Sequence, residues 1–249
     1  MDASAYAFAH GVRHTRSTLR AWQQRPGPVL AGWFAGAAVA ALGLLAAVWV
    51  VGTLDNGYQQ VISLRPPFAV GDVGNVLIVL RSNLLVLALH AMACVAGFIA
   101  GSSLPLQAEH HQGVSRWIHE HGGRIAITFV ALATTFSLSA QAYLIGHALA
   151  GVSGFLGVSP GLLLLGVLPH AVLELIALFL PLAAWIIASR RGEWDQLLAA
   201  TMVTVAIAVP ILVASAFVEV YVSPHLFGAL THIHPPVVRS SEGWIVTVR

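Results

Sequence analysis

The stretch GVLPHAVLELIALFLPLAAWIIA, residues 166–188, decides the fold. A bilayer-spanning helix takes about 20 predominantly apolar residues, and this run supplies them. Yet it carries His170 and Glu174 four positions apart, with Pro169 and Pro181 in the same run. An imidazole and a carboxylate on one face of a lipid-bathed helix are costly unless the protein shelters them. The run therefore reads as one member of a helix bundle whose interior holds polar groups.

The rest of the chain has the same character. Of its 249 residues, 57% are hydrophobic and 9% charged, with a mean hydropathy of +0.81. Soluble domains carry about 25% charged residues. A soluble fold of this length has no interior large enough for so much apolar surface, so lipid must be the solvent. The net charge of +2 is spread out with no long basic run, which argues against nucleic acid as a partner. Arginine carries every fixed positive charge. The single cysteine, Cys94, sits in an apolar stretch and reads as a small buried hydrophobe.

Five segments have the length of spans: about 29–51, 83–103, 125–150, 160–189 and 197–222. Pro26 and Pro28 suit the start of the first, and Pro224 is read as the stop of the last. Eight arginines (13, 16, 20, 25, 116, 124, 190 and 191) fall on one side of this arrangement and four (65, 81, 239 and 249) on the other. That bias predicts a cytoplasmic N-terminus. The first span reads as a retained signal-anchor. The division is a basic cytoplasmic segment 1–28, a membrane domain 29–226 and an extracytoplasmic, loosely ordered tail 227–249. The expected fold is an all-α polytopic transmembrane bundle.

Two loops draw separate expectations. Val76, Leu77, Ile78, Val79 and Leu80, just before Arg81, predict a short interfacial helix feeding the second span. The loop QAEHHQGVSRWIHEHGGR holds Glu109, His110, His111, His119, Glu120 and His121. Imidazoles can ligate metal, but a solvated, partly helical loop with Trp117 at the interface is the preferred reading. The spacings Gly32/Gly36 and Gly97/Gly101 allow close helix packing.

The polar residues within the spans collect toward the outer side. Asn83 lies at the outer end of the second span and His90 about 10 Å deeper. His147 is near the outer end of the third, with Gln141 below it. His170 lies about 15 Å into the fourth, with Glu174 one turn further in. Glu219 is outer on the fifth. The expectation is a cluster of His170, Glu174, Glu219, His90, Asn83, Gln141 and His147. His170 and Glu174, at i and i+4, are expected to hydrogen-bond to each other, and Pro169 and Pro181 to kink the helix and free carbonyls. Three readings stay open: a polar latch between helices, a substrate or proton path, and a metal site for intramembrane hydrolysis. A zincin motif needs a second histidine that is not here. Nothing resembles a Ser-His-Asp triad, a P-loop or a Rossmann turn, so no catalytic residue and no cofactor is expected.

The run 168–188 resembles the LPHG-x-x-E-L-P-A signature of stage II sporulation protein M-like membrane proteins. LIVLRSNLLVLALHAMACVAGFIAG (77–101) looks like that family's N-N-x-x-V-A-L stretch. ILVASAFVEVYVSP (211–224) is similar to its final span, where a Glu is followed five residues later by Pro. Ala171, Ser82 and Ile176 depart from the pattern. The matching positions are Asn83, Pro169, His170, Glu174, Glu219 and Pro224. The resemblance implies a bacterial multi-pass protein of the cytoplasmic membrane with no established enzymatic activity. It implies a scaffold or anchor for membrane or cell-envelope proteins, such as peptidoglycan-degrading partners; a homo-oligomer is a further partner expectation. The alternative from the residues is a permease or channel-like component with an outward-facing polar site. A metal-dependent intramembrane hydrolase comes third.

Overall fold

The computed structural model describes residues 3–55, 72–103, 112–231, 237–240 and 243–246. The fold is all-α, as expected. Helix α1 spans Ala3–Gln24, α2 Pro26–Leu54, α3 Val73–Phe98, α4 Gly113–Leu156, α5 Pro160–Arg191, α6 Leu197–Phe217 and α7 Ser223–Thr231. Two π-helical turns, Ile99–Ser103 and Val218–Val222, extend α3 and join α6 to α7, and a 3₁₀ turn, Trp194–Gln196, precedes α6. Five of these helical stretches are long and apolar enough to cross a membrane, the architecture of a multi-pass membrane protein. Contacts divide the chain into two compact units. The first is Met1–Ala40, Leu84–Phe136 and Ile176–Pro210; the second is Ala41–Asn83, Ser137–Leu175 and Ile211–Arg249.

Within the first unit, α1 is amphipathic rather than a plain basic segment. Thr15 and Thr18 are buried, and Arg13, Arg16 and Arg20 point outward. His14 Nε2 meets Asp195 Oδ2 at 2.8 Å, which ties α1 to the 3₁₀ turn. Pro26 and Pro28 fall in the first turn of α2, where a missing N–H costs nothing. Both expected glycine pairs sit at helix contacts. A Cβ on Gly36 would lie 3.1 Å from Ala183 Cβ, and one on Gly101 would lie 2.3 Å from Trp194 Cγ. Cys94 is buried as expected, and its thiol donates to the Pro181 carbonyl at 3.1 Å.

In the second unit, the sequence pattern did not reveal the close crossing of α2 with α4. A Cβ on Gly146 would stand 2.5 Å from Val51 Cβ, and one on Gly52 would stand 2.9 Å from Leu149 Cδ2. The separate interfacial helix expected over 76–80 does not form, because α3 is continuous from Val73. Val76 joins a core with Ala216 and Val220, against which Val79 and Leu80 pack, while Leu77 and Ile78 face outward. Those residues are the first turns of a span.

The last span also differs from expectation. It runs past Pro224 to Thr231. The Ser223 N–H bonds back to the Val218 carbonyl, five residues away, so the wide turn carries the helix up to Pro224, which has no N–H to give. Helix α5 runs without interruption through Pro169 and Pro181. Gly157 (φ 66°) and Gly192 (φ 70°) follow the ends of α4 and α5 in the left-handed conformation that glycine tolerates best. In the tail, Val237–Ser240 pairs antiparallel with Gly243–Val246, with Val237 opposite Val246, so part of it forms a hairpin rather than a loose segment. Glu109, His110 and His111 lie outside the described residues, as do the side chains of Trp117, His119, Glu120 and His121.

Candidate functional site

The polar core of the second unit is built on His170. Its Nδ1 lies 2.7 Å from Ser223 Oγ, and Ser215 Oγ donates to its backbone carbonyl at 3.0 Å. Both serines are fully buried. The π turn between them explains how they reach one residue. In a regular α-helix, positions eight apart diverge by about 80° around the axis, at about 100° per residue. One extra residue in a widened turn brings them back to within about 20°. The Val218–Val222 turn therefore lets Ser215 and Ser223 face α5 together.

The expected His170–Glu174 hydrogen bond is not made; His170 turns to Ser223 instead. The polar side chain acting on Glu174 is that of Asn83 from α3. Asn83 is 7% exposed, and its Nδ2 has no partner at hydrogen-bond geometry. Asn83, His170 and Glu174 thus all belong to the second unit, and Ser215 and Ser223 bond His170. Glu219 lies half-buried in the π turn and takes part in an interaction of its own.

The other expected members sit elsewhere. His147 pairs with Asp55, just past the end of α2, and stacks on Tyr143 with ring centroids 6.2 Å apart. Gln141 is exposed and bonds Ser137 of its own helix at 3.1 Å. His90 belongs to the first unit, edge-on to Phe179 at 5.9 Å, with Nδ1 buried and unpartnered. Sequence reasoning missed Ser215, Ser223 and Asp55. Asp55 had a usable signal, an acid at the outer end of the first span at the depth expected for His147.

The Ser223–His170 distance is that of a nucleophile and its base. Two observations count against catalysis there. Ser223 is fully buried, and among the described residues no carboxylate is hydrogen-bonded to the imidazole to orient it. Among the described residues no three His, Cys, Asp or Glu side chains are grouped to hold a metal. What the arrangement does provide is a set of hydrogen bonds linking α5 to α6 and α7. Comparison with protein families, with curated proteins and with solved structures returns no match.

Proposed function

We propose that the chain is a non-enzymatic scaffold of the bacterial cytoplasmic membrane, holding other membrane or cell-envelope proteins, in keeping with its resemblance to stage II sporulation protein M-like proteins. One observation carries this reading. Only 11% of the most apolar part of α4 is buried, against 56% for α5. The exposed surface of α4 is not uniformly greasy, because Ser137 and Gln141 are exposed on it, near the middle of the span Ile127–Leu156. A carboxamide facing hydrocarbon has hydrogen-bonding capacity that a neighbouring helix can satisfy. The buried serine–histidine bonds fit the same reading, since a scaffold needs a fixed bundle. Affinity capture of tagged full-length protein from its own membranes tests it. Envelope proteins in stoichiometric amount are the expected result, and a purified chain that turns over a substrate with no partner present overturns it.

A second reading has its own support, the buried and unpartnered Asn83 Nδ2 beside Glu174. A small solute or a proton carrier would satisfy that donor in a permease or channel-like component. Uptake by reconstituted vesicles that falls on Glu174→Gln supports it. Uptake unchanged by Glu174→Gln and Glu219→Gln removes those carboxylates from any transport role.

A further inference from the structure

A cleft of about 250 Å³ opens in the first unit, where the end of α1, the start of α2, the last turns of α5 and the 3₁₀ turn meet. It is smaller than the pockets of about 300–1,000 Å³ that take drug-sized ligands. Its charged lining is one cation and one anion, Arg191 and Glu193. Gly192 between them, at φ 70°, bends the chain where both line the space. The Arg191 Nη1–Glu193 Oε2 distance is 4.0 Å, well beyond the roughly 2.7–2.9 Å of a hydrogen-bonded ion pair. The two charges are neighbours without being joined, and each can take a second partner. Trp22 and Trp33 meet edge to face at 5.1 Å on another wall. Indole rings attract cations, quaternary and primary ammonium groups alike.

Place and charge identify the occupant. The cleft lies at the end of α5 that carries Arg190 and Arg191, where the apolar span gives way to charge. That is the level of lipid head groups. The exposed arginines of α1 suit anionic lipid, but the cleft itself is neutral and bipolar. We propose that it binds the head group of a zwitterionic phospholipid, with the phosphodiester on Arg191 and the ammonium between Glu193 and Trp22. Val29, Ile187 and Ala200 line the same space and meet the glycerol and the first methylenes of the chains. The proposal does not depend on the scaffold reading.

The test uses the purified full-length chain in micelles, with thermal unfolding followed as lipid is added. Phosphatidylethanolamine raises the unfolding temperature in a saturable way, and phosphatidylglycerol does so at least about tenfold less effectively. Soluble glycerophosphoethanolamine separates two sources of the same chemistry. If it reproduces the shift, the head group alone suffices; if only the lipid works, the chains are needed; both outcomes support the site. Two variants locate the effect. Arg191→Gln removes the phosphate partner. Gly32→Leu puts a side chain into the cleft, and its Cβ would meet Ile187 Cδ1 at an ordinary 3.7 Å. Each is expected to abolish the lipid-induced shift while leaving helix content intact. Equal shifts with the two lipids, or an undiminished shift in Gly32→Leu, overturn the proposal.

Discussion

His170 Nδ1 and Ser223 Oγ lie 2.7 Å apart, so the histidine on α5 spends its hydrogen bond on α7 and not on Glu174 of its own helix. A polar bond between helices is an obligation in hydrocarbon, where no water replaces a lost partner. Ser223→Ala is therefore expected to destabilise the chain by about 0.6 kcal/mol, with about 1.7 as the upper bound for such interhelical bonds. Reversible unfolding in mixed micelles measures it. Combined with His170→Ala, the losses should be less than additive. Strict additivity would show that the two side chains do not interact.

The α2–α4 crossing gives a sharper steric prediction. Gly146→Ala puts a methyl 2.5 Å from Val51 Cβ, and overpacking of this kind costs about 1–3 kcal/mol. Gly154, on the same helix, has nothing within 4 Å of an added Cβ. Gly154→Ala should be neutral, or stabilising by about 0.5–1 kcal/mol through lower backbone entropy in the unfolded chain. Equal effects from the two substitutions would contradict the crossing.

The His14–Asp195 contact fastens α1, with side chains 34% and 42% exposed. At that exposure the pair is screened and contributes about 0.2–1 kcal/mol. Asp195→Asn should leave global unfolding almost unchanged while speeding amide exchange across the second half of α1, and raising the salt concentration should mimic it. Exchange in α1 unaffected by either would mean that the tether is not made in solution.

The exposed carboxamide on α4 separates stability from function. Gln141→Leu removes a polar group from an outward face, so the isolated chain should be as stable as before or slightly more so. Its retention of partners in native membranes should fall. A stability loss with partners retained would make Gln141 a structural residue and withdraw the central support of the scaffold reading.

Much of the fold was legible because hydropathy over a long window reports what lipid demands. Five helices long and apolar enough to cross a membrane are present, as the composition demands. The errors came where a local rule met a helix able to absorb it. Arg81 made 76–80 look like a separate interfacial piece, yet a long side chain exposed on a helix can reach the interface along its own aliphatic stem without breaking the helix. Pro224 looked like a stop, and the π turn before it accommodates a residue without an N–H.

The site was legible in part for a related reason. His170, Glu174 and Asn83 stand out because charge and amide groups are rare in spans. Ser215 and Ser223 do not stand out, since hydroxyls in helices usually bond their own preceding turn. Thr201 and Thr204 do so, donating to the carbonyls of Leu197 and Ala200 at 2.7 Å. Only the widened turn brings the two serines to α5 together, and no spacing rule anticipates a π turn.

The central claim is that α4 presents its outer face to another protein. The most direct measurement places a photo-crosslinking amino acid at Leu144, one turn beyond Gln141 and 64% exposed, in the otherwise native chain. Irradiation in intact membranes followed by mass spectrometry identifies what lies against it. The account predicts a cell-envelope or membrane protein as the main adduct, lost in Gln141→Leu. Adducts to lipid alone, at full expression and folding, would contradict it.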